Sequence, residues 1–200
     1  MKKILAFTLT ALTLLTCSCE NNKAETTTAK STVETTAFET TAVTEATEPM
    51  NFIFLSGAGG WSTEMTLNAD GSFSGEYHDS ELGSIGDNYP NGTVYTCKFT
   101  GKFKDFEKVN EYTYSMSIDT INTEYEIGKT WIEDGVQYIA GAPYGLDGGN
   151  DFLLYTPDAP TAELPEDFII WIKSATEVKD TLGCYAIRNL ANDCGFAESK

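Results

Sequence analysis

Three things are scarce in this 200-residue sequence: histidine, basic side chains and long apolar runs. Its single histidine, His78, rules out a site built on two imidazoles, and no spacing of cysteine with histidine matches a zinc site. Only 13 lysines and arginines stand against 30 acids, for a formal net charge of -17. Residues 51–200 alone hold 24 acids and nine bases, so the acidity is not confined to the N-terminal part. Such a surface repels nucleic acid and anionic headgroups; cations, basic partners and neutral ligands such as glycans are easier to accommodate. No apolar stretch reaches the roughly 20 residues of a membrane-spanning helix.

What is present begins with Met1-Lys2-Lys3 and an uncharged run of 13 residues, Ile4 to Thr16. A positive start followed by a short apolar run suits a secretory signal peptide. The run ends at Thr16-Cys17-Ser18-Cys19-Glu20, which resembles the bacterial lipoprotein signal. The resemblance implies cleavage just before a cysteine whose thiol carries diacylglycerol. Cys19 follows the small Ser18 and is the preferred lipid attachment; Cys17, with Leu14 three residues upstream, is the alternative. Two acyl chains hold a protein at a bilayer because each buried CH₂ contributes ~0.8 kcal/mol. The expected location is extracytoplasmic, lipid-anchored to the cell membrane and displayed at the cell surface.

Residues 20–49 are almost entirely Thr, Glu, Ala, Lys, Ser and Asn, with a local repeat at Glu34-Thr35-Thr36-Ala37 and Glu39-Thr40-Thr41-Ala42. Little apolar surface is available there to offset backbone entropy of ~1–2 kcal/mol per residue, so a disordered tether is expected. The organisation is then a signal peptide over 1–18, a lipidated Cys19 with its tether over 19–50, and one β-rich globular domain over 51–200.

Alternation of apolar and polar residues marks the strands of that domain. It runs through Trp61–Leu67 and Phe73–Tyr77, separated by the turn Asn68-Ala69-Asp70-Gly71. It is strongest at Tyr95–Phe103 and Tyr112–Ile118. Weaker strands are expected at Glu124–Ile127, Thr130–Glu133, Val136–Ala140, Phe152–Tyr155 and Cys184–Ile187, with Gly135 in a two-residue hairpin turn. Pro165-Glu166-Asp167 starts one short helix that ends near Lys173 or Ser174. Short strands at regular spacing predict a mainly β fold: a small antiparallel barrel, or a sandwich, with one helix near the C-terminus.

Gly60-Trp61 opening a strand, then Asp70-Gly71 and Gly75-Glu76-Tyr77, resembles the start of the lipocalin and avidin (calycin) barrels. That resemblance covers about 20 residues and implies a tryptophan packed across the barrel floor. No biotin-binding residues carry over. The region 51–200 as a whole resembles uncharacterised β-rich domains of bacterial lipoproteins.

Candidate ligand-binding residues are Trp61, His78, Asp79, Tyr95 and Trp131: aromatic faces on strands, and a histidine and an acid expected just past a strand end. The loop Gly83–Gly92 is a candidate lid or rim, with Asn91-Gly92 read as a turn. Asp147, Asn150 and Asp151 are weak calcium candidates, because their spacing does not match an EF-hand. Cys184 and Cys194 are a candidate disulfide in an oxidising compartment. Ser56–Trp61 is glycine-rich but leads into a strand, so it lacks the helix N-terminus a phosphate loop requires. No cofactor and no catalytic residue is assigned.

The expected function is a non-catalytic binding module for a small ligand, a glycan or a protein. The alternatives are an extracytoplasmic hydrolase, using His78 or the acidic pair Asp79 and Glu81, and a structural envelope protein. For the anchor the expectation is concrete. Fed a labelled fatty acid, producing cells should label the full chain, lose most of the label in Cys19→Ala and lose all of it in the Cys17→Ala, Cys19→Ala double variant. Label persisting in the double variant would contradict the lipoprotein assignment.

Overall fold

The computed structural model describes residues 48–199, so the expectations for Cys17, Cys19, the signal peptide and most of the tether lie outside the described residues. Alternation becomes strands almost throughout: β1 (Met50–Leu55), β2 (Trp61–Leu67), β3 (Ser72–Glu81), β4 (Thr93–Asn110) and β5 (Thr113–Thr123). A hairpin of β6 (Thr130–Glu133) and β7 (Val136–Ala140) follows, then β8 (Asp151–Tyr155). After a 3₁₀ turn at Thr161–Glu163 comes α1 (Glu166–Ala175), and then β9 (Ala186–Asn189) and β10 (Gly195–Glu198).

Eight of these strands form a closed antiparallel barrel. Around the ring the order is β3-β2-β1-β10-β9-β8-β5-β4, and pairing of β3 with β4 completes it. Closure settles barrel against sandwich. The hairpin β6–β7 lies outside the ring, with β7 parallel to β4. Its two-residue turn is Asp134-Gly135, with φ of 50° and 75°, the mirror-image turn that matches strand twist.

Three expectations are corrected. β3 runs on to Glu81, so His78 sits within a strand rather than past its end. Glu124–Ile127 is bend and turn, because β5 has already ended at Thr123. The last sheet residues include β10, which was not expected; Gly195-Phe196-Ala197 is too short to display an alternation.

The barrel interior is filled by side chains, as an eight-stranded ring allows. Phe52, Phe54, Phe103, Phe152, Phe196 and Leu154 are fully buried there. Each contributes roughly 1.5–3 kcal/mol by leaving water. A second buried cluster lies under α1, where Phe168, Ile169 and Ile172 meet Ala186, Ala197, Leu182 and Tyr155. Small alanines on the outer face of β9 and β10 let the helix sit close. Pro165 precedes the helix and Glu166 and Asp167 fill its first turn, as the macrodipole favours.

The β3–β4 seam closes through two reciprocal pairs. Gly75 faces Phe99, and Phe73 faces Gly101. A Cβ on Gly75 would lie 2.2 Å from the Glu64 carbonyl oxygen and 2.5 Å from the Phe99 ring. A Cβ on Gly101 would lie 2.3 Å from the Phe73 ring and 2.4 Å from the Thr120 carbonyl oxygen. Each phenyl ring thus lies over the glycine opposite, where the wall bends. Gly101→Val is expected to cost about 3 kcal/mol in urea unfolding, the upper range for overpacking. Thr100→Val, on the exposed face next to it, should stay within about 0.5 kcal/mol of the parent. Equal stability of the two variants would contradict this account of the seam.

Candidate functional site

The register brings three of the expected ligand residues together. Trp61 faces Asp79 across β2–β3, and Asp79 faces Tyr95 across β3–β4. All three fall on the alternation that points inward, at one rim of the barrel. The Trp61 ring packs on Phe54 (4.8 Å between centroids), Tyr144 (4.9 Å) and Trp171 (6.1 Å). Trp61 is therefore half-buried in the aromatic layer that closes this rim.

The segment between β7 and β8 plugs the same rim. Leu146 is fully buried with the barrel core. Thr63 donates its hydroxyl hydrogen to the Tyr144 carbonyl at 2.8 Å. Asn189, fully buried, donates to the carbonyls of Gly145 and Asp147, both at 3.0 Å, and accepts from the Ala191 N–H at 2.9 Å. The calcium candidates fall into this plug. Asp147 accepts the Gly145 N–H at 3.1 Å, the Asn150 carbonyl accepts the Ile118 N–H at 2.9 Å, and Asp151 opens β8. Among the described residues no group of three or more His, Cys, Asp or Glu side chains is arranged to hold a metal ion.

The expected Cys184–Cys194 bridge is corrected. Cys194 is a thiol within the interior cluster, whereas Cys184 belongs to the cluster under α1, across the wall. Cys97 faces the interior as expected. Burial pushes the Cys97 and Cys194 thiols up to about 11, with the Asp147 charge adding to it. Burial, then the charge of Asp79, pushes the Tyr77 hydroxyl up to about 12.

His78 lies on the opposite side of the wall from Asp79, because adjacent residues of a strand point to opposite faces. It is exposed, and its Nδ1 is 3.3 Å from Ser62 Oγ on the neighbouring strand. His78 and Asp79 therefore do not share a site.

Trp131 occupies a separate place, at a fork in the sheet. One edge of β4 is shared: β5 pairs with it from Phe99 onward, and β7 pairs with it up to Thr96. The two neighbours end where they would collide. Glu124 N–H bonds the Lys98 carbonyl at 2.9 Å, and Gly141 N–H bonds the Thr96 carbonyl at 2.9 Å. A cleft of about 260 Å³ lies at this junction. One side is aromatic: Trp131 stacks on Tyr138 (5.3 Å, 11° between planes) and packs against Tyr125 (5.0 Å). Lys129 Nζ lies 3.7 Å from the centre of the Tyr125 ring. The remaining lining includes Glu76, Glu124, Glu133, Lys98, Thr96 and Thr123. The Tyr125 hydroxyl is held above the usual tyrosine range by its hydrogen bond to Glu124 and by that carboxylate's charge. The three rings are half-buried, and the three carboxylates are exposed.

Trp131 was the one expected residue in this cleft; Tyr125, Tyr138 and the carboxylates were missed. A signal for Tyr138 existed. In a hairpin turning at Asp134-Gly135, residues 131 and 138 are equidistant from the turn and must face each other. Glu76, Lys98 and Glu124 were not findable this way, since the fork depends on where β5 and β7 end. No protein family, curated protein or solved structure matches the chain.

The buried thiols and Tyr77 set an alkaline limit. Folding raises their pKa from ordinary values of 9.0 and 10.0, so the native state keeps protons that the unfolded chain releases. Their contribution is full below pH 9 and is lost as pH rises through 11 to 12. Unfolding free energy measured in urea should therefore fall from pH 9 upward, and Cys97 and Cys194 should resist a thiol reagent at pH 8 until the chain is unfolded. Native-state labelling of both at pH 8 would contradict their burial.

Proposed function

We propose that this chain is a surface-displayed bacterial lipoprotein whose barrel is a non-catalytic carbohydrate-binding module, with the glycan seated in the Trp131 cleft. The observation that carries this is the half-buried Trp131–Tyr138–Tyr125 cluster beside exposed carboxylates and hydroxyls. Aromatic faces stack on the C–H faces of a sugar ring, while Glu76, Glu124, Glu133, Thr96 and Thr123 supply acceptors and donors for its hydroxyls. The acidic domain disfavours anionic polymers, and a neutral glycan pays no such repulsion. The interior supports the same choice, because Phe52, Phe103 and Phe152 fill the space that a lipocalin- or avidin-like barrel would give to a small apolar ligand. The lipoprotein part rests on Cys19 and its preceding residues; Gly60-Trp61 opens the second strand of the ring rather than its first, so what supports the calycin resemblance is the closed eight-stranded form and not the place of that pair.

The test is an array of neutral glycans probed with the full chain and with Trp131→Ala. Binding should weaken about 30-fold in the variant, as expected for loss of ~2 kcal/mol from a central aromatic anchor. The melting temperature should change little, since Trp131 lies outside the barrel core. A glycan bound equally well by both proteins would overturn the assignment of the site.

A further inference from the structure

We propose that the Trp131 cleft is one end of a longer trench that takes a neutral glycan as an extended chain of several sugars. This rests on the carbohydrate reading above and adds the form of the ligand. Two further hollows open on the same outer wall. One, of about 680 Å³, is lined by Asn51, Glu64, Thr66, Ser74, Glu76 and Lys98 among others. The other, of about 290 Å³, includes Lys98, Thr100, Asn122, Thr123 and Glu124. Lys98 borders all three; Glu76 also borders the first two, and Thr123 and Glu124 border the cleft and the third. The hollows are therefore neighbours along one path.

The register gives the path its direction. Ile53 faces Glu64, Glu64 faces Glu76, and Glu76 faces Lys98, so one row of side chains crosses β1, β2, β3 and β4. Beside it runs the row Asn51, Thr66, Ser74 and Thr100. The trench crosses the strands rather than following them. From β1 to β6, at about 4.8 Å per strand, it spans roughly 24 Å. That length exceeds one sugar ring and suits a short polymer.

The floor also separates a glycan from a peptide. An extended peptide binds a sheet by adding a strand to an unpaired edge. Here β1, β2, β3, β4 and β7 are each paired on both sides, so most of the floor offers side chains and no free backbone ladder, and the one unpaired edge along it, that of the four-residue β6, lies at the cleft end. Apart from Ile53, the side chains of the two rows are carboxylates, an ammonium, hydroxyls and an amide, which match sugar hydroxyls. Glu64 directly opposite Glu76 is a like-charge pair that costs stability and repels a polyanion.

The experiment is calorimetric titration of the full chain with cello-, malto- and chito-oligosaccharides of two to six units. In at least one series, affinity should rise about tenfold or more from dimer to hexamer. Ser74→Trp, filling the far half of the trench from an exposed position, should cut hexamer affinity back towards the dimer's value, and Thr66→Trp on the next strand should do the same. Thermal unfolding checks that both variants fold. Dimer and hexamer binding equally, with neither tryptophan substitution having an effect while Trp131→Ala abolishes binding, would overturn the trench and leave the cleft. No binding of any oligomer in any series would overturn the trench, and a blank glycan array as well would overturn the carbohydrate reading itself.

Discussion

The contact on which the barrel depends is the crossed pairing of glycine and phenylalanine along β3 and β4. A sheet can close only if its wall bends, and a bend brings backbone and opposing side chains closer than a Cβ permits. Gly75 and Gly101 remove that Cβ, and Phe99 and Phe73 cover the bare backbone from the other strand. The same two rings enter the interior cluster, with Phe73 packed 4.7 Å from Phe103 and Phe103 5.3 Å from Phe152. Bending the wall and filling the core are thus one event rather than two.

The fork follows from the length of β4. This strand of 18 residues is too long for one partner on its open edge, because β5 has only 11. The leftover edge is taken by β7, arriving parallel from the far side of a hairpin. Two strands that share an edge end to end must leave a gap between them. The gap holds polar backbone already satisfied by Glu124 and Gly141, so it can be lined with side chains chosen for something other than packing.

Much of the barrel was legible because its inward residues are large and apolar and its outward ones are Ser, Thr, Lys and Glu. Trp61–Leu67 and Tyr95–Phe103 are plain cases. The ends of strands were less legible. His78 was expected in a loop because Tyr77 is the last apolar residue of its run, yet β3 continues through Ser80 and Glu81 by pairing with Val94 and Thr93. Polar residues at a rim carry no alternation, so only the partner strand reveals them. The pairing of the cysteines failed for a similar reason: ten residues of separation say nothing about which side of a wall each side chain faces. For the site, one residue of the cleft was visible as an aromatic on a strand. The others come from four separate stretches of chain that meet only through the register of β4.

The chain enters the barrel at the row Met50, Leu67, Phe73 and Gly101, while the plug and the Trp61 row close the opposite rim. Between entry and fork lie four laterally bonded strands. A pull on the N-terminus against a load held at Trp131 would run lengthwise along β1 in one direction and along β4 in the other. The ladders between them would be sheared, with all their hydrogen bonds strained together, instead of being peeled one at a time. A load held at Trp131 must first cross the short ladders that join β6 to β7 and β7 to β4, four register pairs each, so the hairpin would give way before the ring, whose own rupture follows its unfolding barrier.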